Sequence, residues 1–162
     1  MKMNQTLWQA VSYGSLVCVG GLLLIMLRQT KRMRIRLADW PNARLKYDAG
    51  DLRVCFQKAG TAARSFLWCS LALEIALAPA LAAVAHNTAA AFQPVRLAMY
   101  GLSLLRALLG LSETLCLLHL SRGEISPKQA RFSSLLATLK WGAFGLWALG
   151  MFVCLLIAGS KL

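Results

Sequence analysis

Acidic residues are scarce in this chain: six Asp and Glu stand against 18 Lys and Arg, a formal charge of +12. The usual catalytic and metal-binding signatures are missing too. There is no Cys-x-x-Cys pair, Gly-rich phosphate loop, Ser-His-Asp set or His-Glu-x-x-His. Cys18, Cys69, Cys116 and Cys154 fall one to each long apolar run, Cys55 lies between two of them, and no two share an exterior segment. That distribution gives no support to thiol exchange or a thiolate metal site, and it suits small packing residues. The two histidines, His86 at the outer end of the second run and His119 at the inner end of the third, fall on opposite sides of the membrane, so one haem cannot use both. The residues hold no set of metal ligands, and no cofactor is evident from them. No repeat, low-complexity tract or linker separates a second domain, so residues 1–162 read as one membrane domain.

What the chain has instead is apolar length. Four runs, about 7–27, 65–85, 97–120 and 132–158, dominate a sequence that is 58% hydrophobic with a mean hydropathy of +0.57. A hydrocarbon core about 30 Å thick needs ~20 helical residues. The fold class expected is therefore all-α, an integral membrane bundle of four transmembrane helices. The first run is too long for a signal peptide, and no small-x-small site closes it before the basic stretch. Cys18 follows Val17 rather than the small residue of a lipoprotein cleavage site.

In a soluble protein the net charge would suggest nucleic acid first. Here its distribution reads as orientation, and nucleic acid is not an expected partner. Arg28, Lys31, Arg32, Arg34, Arg36, Arg44, Lys46, Arg53, Lys58 and Arg64 crowd the basic loop 28–64. Arg122, Lys128 and Arg131 occupy the connection between spans three and four, while Lys2, Arg96 and Lys161 are all that the other segments carry. The positive-inside rule puts both basic loops in the cytoplasm and both termini outside, as in a bacterial inner membrane, with anionic lipid head groups as partners of the loops. Ser160-Lys161-Leu162 matches a peroxisomal address, but on the exterior side it reads as coincidence.

Within this plan, Gly14, Ser15, Gly20 and Gly21 in span one would let a neighbouring helix approach closely. Helix is expected to continue past Arg28 toward Leu37, with a break at 38–42 that sets Trp40 at head-group level. Asp51 is placed to cap a helix in which Leu52, Phe56, Ala59 and Ala63 recur at helical spacing. That helix should run unbroken into span two, extending it into the cytoplasm. Span two is alanine-rich and should kink at Pro79. The short segment from His86 to Arg96 makes spans two and three antiparallel neighbours. Gly101 and Gly110 in span three suit close contacts, Pro127 begins or precedes the last helix, and Trp141 and Trp147 read as packing residues.

Glu74, Arg106, Glu113 and Lys140 interrupt the apolar runs. A charge at a helix centre costs ~2.5–3.5 kcal/mol on insertion scales, while a Leu returns only ~0.3–0.6 kcal/mol. Glu74 lies ten residues past Arg64, Glu113 nine before Arg122, and Lys140 nine past Arg131. Each is therefore about 14 Å in from the basic border, in one layer if their faces converge. Arg106 is farther from that border and can reach toward Glu74 or snorkel outward. Arg106 and Glu113, seven residues apart, are about 10 Å apart along the axis and should not pair directly. Such a cluster either fixes helix register and subunit pairing or forms a site for an anionic or proton-carrying ligand.

Two patches carry a resemblance. Asp51-Leu52-Arg53-Val54 followed by Lys58-Ala59 is one; Leu118-His119-Leu120-Ser121-Arg122-Gly123, then Ser126-Pro127 and Arg131-Phe132, is the other. Together with the four-span layout and long first basic loop, they resemble the membrane-associated eicosanoid and glutathione metabolism family. The resemblance implies a homotrimer with external termini and a glutathione site, for which Arg53, Lys58, Arg122 and Arg131 are the cationic, anion-binding candidates. The chain departs from the family where an Asn and a Glu should follow the first patch. It has Gly60, Thr61, Ala62 and Ala63 there, and near Glu113 the expected late Arg of span three is replaced. Three readings follow. A non-enzymatic subunit or assembly module of a membrane complex, homo-oligomeric or with a membrane-protein partner, comes first. A glutathione- or lipid-handling membrane enzyme and a proton- or ion-coupled transport element using Glu74, Glu113 and Lys140 are the alternatives.

Overall fold

Helix α1, Lys2–Met33, outlasts its apolar run by more than a turn and stops where Arg34 adopts a φ of 56°. The stop is a Schellman closure: Ile35 N–H donates to Thr30 O (3.2 Å) and Arg34 N–H to Lys31 O (3.3 Å). A left-handed residue without glycine costs roughly 1–2 kcal/mol. The buried Ile35 that follows anchors it. Two single turns of 3-10 helix, Leu37–Asp39 and Pro41–Ala43, then carry the chain back under the bundle.

This return corrects the expectation for Trp40. Its ring is wholly buried, 4.2 Å from the Phe66 ring and 6.3 Å from that of Phe56 between centroids, rather than lying at a lipid interface. Burying 150–250 Å² of aromatic surface outweighs leaving its indole N–H without a partner.

Helix α2, Ala49–Ala59, starts one turn earlier than a cap at Asp51 would place it. Asp48 is the cap: Asp51 N–H donates to its Oδ1 (2.8 Å), and Asp48 N–H donates to Asp51 Oδ2 (3.1 Å). Leu52, Ala59 and Ala63 are buried and Phe56 half-buried, as their spacing predicts. The extension of span two is present, but as a separate helix. Gly60, at φ 54°, turns the chain before α3, Ala62–Thr88, begins. A side chain would be strained at that φ, so the glycine admits a break that apolar periodicity alone does not register.

The computed structural model describes residues 2–88 and 93–159. Ser160-Lys161-Leu162 and residues 89–92 of the connection from α3 to α4 lie outside the described residues. Helix α3 continues through Pro79. It is followed by α4, Gln93–Leu120, and α5, Pro127–Gly159. Among the described residues, four helices are long and apolar enough to cross a membrane: Thr6–Met33, Ala62–Thr88, Pro94–Leu120 and Pro127–Ile157. Each extends beyond or begins before its apolar run because basic and polar flanks, excluded by hydropathy, still continue the helix.

The helices pack in the order α1, α3, α4, α5, so the fold is a four-helix membrane bundle with α1 at its edge. Leu24, Leu97, Leu104, Leu146 and Leu155 stand exposed on its outer surface, as lipid-facing residues do. Two apolar clusters fill its interior. One joins Trp40, Leu52, Phe66 and Leu117 at the basic end; the other joins Leu81, Met99, Trp147 and Met151 toward the opposite end. By register along α3, α4 and α5, the ionisable residues lie between these clusters.

Candidate functional site

Glycine makes room for the ionic layer. A Cβ built on Gly110 of α4 would stand 2.5 Å from Cδ of Glu74, so α3 and α4 approach closely where that carboxylate sits. Gly101, also expected to serve a close contact, would meet nothing within 4 Å, and neither would Gly14, Gly20 or Gly21 on α1.

Against this seam the structure brings together all four intramembrane charges. Arg106 Nη1 donates to Glu74 Oε2 at 2.6 Å, and Lys140 Nζ donates to Glu113 Oε2 at 2.6 Å. Lys140 Nζ is also 3.6 Å from Glu74 Oε1, which links the two pairs. Arg106 reaches toward Glu74, and no direct Arg106–Glu113 contact occurs among the described residues. The cluster holds two carboxylates and two cations, so it is formally neutral. Exposures of 5% for Glu74, 7% for Arg106, 0% for Glu113 and 2% for Lys140 remove it from water. Desolvating such ions costs several kcal/mol each, which only close pairing and further hydrogen bonds repay. Phe144 and Trp141 add ring faces 5.9 Å from the Arg106 guanidinium and 5.7 Å from Lys140 Nζ.

The further hydrogen bonds come from the loop ahead of α2, which sequence reasoning did not place here. Lys140 Nζ donates to the backbone carbonyl of Asn42 at 3.0 Å. Asn42 Nδ2 donates to Ser70 Oγ on α3 (2.7 Å) and to Thr114 Oγ1 on α4 (3.0 Å). Tyr47 O–H donates to Glu113 Oε1 at 3.2 Å and shares a 2.6 Å hydrogen bond with Ser133 Oγ. Tyr47 N–H donates to Ser134 Oγ (3.1 Å), and Thr138 Oγ1 donates to Leu45 O (2.7 Å). Burial, reinforced by the Glu113 carboxylate, pushes the Tyr47 phenol far above its ordinary range, which keeps it a donor. Asn42 and Tyr47 thus fasten the loop across three helices. The one legible signal was the set of Ser and Thr residues at the basic ends of the spans.

The expected anion-binding residues do not converge. Arg53 lines a cleft of about 690 Å³ beside the α4–α5 connection and donates to Ile125 O at 3.4 Å. Lys58 lines another, of about 330 Å³, with Arg34, Arg44 and Asp51. Arg131 borders a third with Lys46 and Tyr47, and Arg122 is exposed in the connection. Arg44 in the second cleft is already drawn to Asp39 (3.6 Å) and Asp51 (3.3 Å). Burial pushes the Cys55 thiol there up to about 11, so it is a packing residue rather than a nucleophile at neutral pH. All five cysteines are free.

The histidines stay at opposite ends. His86 stacks on Trp8, 4.4 Å between centroids, and its Nδ1 is 2.6 Å from the Tyr100 hydroxyl; His119 is exposed in the last turn of α4. Among the described residues no three His, Cys, Asp or Glu side chains gather as a metal site. Trp147 is buried in the second apolar cluster and Trp141 half-buried beside Lys140. Comparison with family models, curated proteins and solved structures finds no match to this chain.

Proposed function

We propose that this chain is a non-enzymatic subunit or assembly module of a membrane complex. In this reading both basic connections face the cytoplasm and both termini the exterior, as in a bacterial inner membrane. The observation that carries it is the ionic layer. Its charges neutralise one another, its spare hydrogen-bonding atoms are taken up largely by the loop, and none of its four charged side chains lines the clefts described above, the third of which stops at Tyr47. Such a layer serves to lock α3, α4 and α5 in register. Support also comes from α1, which packs chiefly against α3 and leaves Gly14, Cys18 and Gly21 exposed along one face. A second helix could approach there without steric obstruction.

The native mass in mild detergent tests the proposal. It should exceed one 17.7 kDa chain, through self-association or a co-purifying membrane protein, after detergent and lipid are subtracted. Self-association through α1 would also give a disulfide-linked dimer through Cys18 under mild oxidation, and Gly21→Leu would weaken it. A monomer with no protein partner would sink the reading.

One observation favours a transport element as the second reading. Arg106, Glu74, Lys140, Glu113, Tyr47 and Ser133 form a continuous series of contacts of 3.6 Å or less. It predicts pH-dependent flux in liposomes that Glu74→Gln abolishes. The glutathione-handling alternative must instead gather cations now spread over separate clefts. Saturable glutathione binding lost in Arg53→Ala or Arg131→Ala protein would support it.

A further inference from the structure

A cleft of about 460 Å³ opens on the lipid-facing side of the bundle between the end of α4 and the start of α5. Its composition changes along the membrane normal. His119 and Lys128, with Gln129, lie in the turns next to the connection; Leu115, Cys116 and Phe132 lie about one turn farther toward the bilayer centre. Leu115 and Phe132 are 53% and 55% exposed, so the apolar part is open to the surroundings. Neither the Lys128 nor the His119 side chain makes an ion pair or a hydrogen bond among the described residues; the His119 backbone carbonyl accepts from Arg122 N–H at 3.1 Å. The volume falls within the roughly 300–1,000 Å³ of small-ligand sites.

We propose that this cleft binds one anionic phospholipid, its phosphate held at Lys128 and His119 and the start of an acyl chain laid against Leu115, Cys116 and Phe132. The argument is the match between two gradients. The ligand passes from anionic head to apolar chain in the same direction as the cleft passes from cationic rim to apolar wall. A basic recess between transmembrane helices on the positive side is the arrangement that selects anionic head groups. A similar apolar hollow near Arg28 and Lys31 is lined by α1 alone and has no second wall to hold a chain. The inference goes beyond the subunit reading, since a monomer could carry this site as well as a complex could.

The test counts lipids retained by the full-length protein in native mass spectrometry after reconstitution into phosphatidylcholine bilayers containing phosphatidylglycerol. One phosphatidylglycerol per chain should survive delipidation that strips phosphatidylcholine. Lys128→Glu should weaken retention at least tenfold, whereas Lys58→Glu, the same charge change in another cleft, should leave it intact. Leu115→Trp, which fills the apolar wall but keeps Lys128 and His119, should also expel the lipid. Unchanged thermal melting of each variant shows that it remains folded; a variant that melts early is replaced by Lys128→Gln or Phe132→Trp. Equal retention of the two lipids would overturn the proposal, as would equal loss from Lys128→Glu and Lys58→Glu, which marks diffuse charge attraction. Displacement by soluble glycerol phosphate would show that only the phosphate is recognised. Finding a second protein chain in the cleft instead would also overturn it.

Discussion

Among the described residues, three ion-pair contacts lie in the basic loop and three inside the bundle, and the two sets behave differently. In the loop, Arg36 pairs with Asp39 at 2.9 Å, and Arg44 spans Asp39 and Asp51 at 3.6 and 3.3 Å. The Arg36 hydrogen bond holds the Asp39 carboxyl below its usual range, yet both groups remain in water and are screened by salt. Inside, Glu74, Arg106, Glu113 and Lys140 meet at comparable distances with almost no exposure. Each ion there depends on its partner, because water cannot replace it. The outer set decorates a loop; the inner set dictates which faces of three helices meet.

That contrast can be broken most sharply at Lys140. Lys140→Met removes the shared cation from two carboxylates and should cost about 3–5 kcal/mol of stability, measured by denaturation in detergent. Adding Glu113→Met should recover much of the loss, since a well-packed apolar pair replaces the broken ionic one. A single variant as stable as the parent would mean that the inner pairs are no more consequential than the outer. Gly110→Ala leaves every charge in place but drives a methyl into the Glu74 carboxylate; a loss of about 1–3 kcal/mol is expected, visible as a lowered melting temperature.

Tyr47→Phe sharpens the comparison from the loop side. Removing the hydroxyl from Glu113 and Ser133 should cost about 1–2 kcal/mol at neutral pH. The alkaline limb carries a second signature. The folded phenol is raised above its ordinary value of 10.0, so its contribution is complete below that pH. Above it the unfolded chain loses the proton first, and stability falls. The fall in the parent minus that in Tyr47→Phe isolates this residue; identical alkaline limbs would contradict the buried placement. The smallest effect belongs to the outer set. Asp39→Asn should leave the melting temperature unchanged at physiological salt, and a clear shift would show that the loop pairs are not merely superficial.

How much of this could be read from the chain depends on which coordinate a residue pattern encodes. The number of residues from a basic border converts directly into depth, so Glu74, Glu113 and Lys140 could be placed in one layer before any fold was known. The four apolar helices were equally plain, because the bilayer demands length and hydrophobicity together. Depth says nothing, however, about a polar segment that folds back. Trp40, Asn42 and Tyr47 look like ordinary loop residues, and their burial depends on Phe66, Ser70, Thr114 and Ser133, far away in sequence. Local conformation was hidden in a similar way. Gly60 sits within an apolar repeat that reads as continuous helix, and only its positive φ breaks it. The basic residues carry a third kind of information: Arg53, Lys58 and Arg131 share a charge and a border, and within one chain they line three separate clefts.

The chain order of the inner charges bears on how the protein is made. Synthesis delivers Glu74 first, then Arg106 and Glu113, and Lys140 only with the last helix. Glu74 can find Arg106 as soon as α4 arrives, but Glu113 must wait for α5. During that interval its carboxyl has Tyr47, borne on a loop already emerged, as the one neighbour able to donate to it among those it finally contacts. The ionic layer can thus be completed only once α5 has been made. Lys140, Ser133 and Ser134 arrive on one helix and fasten the earliest loop to the latest span. Until the last helix is made, Glu113 therefore lacks the cation it pairs with in the finished molecule.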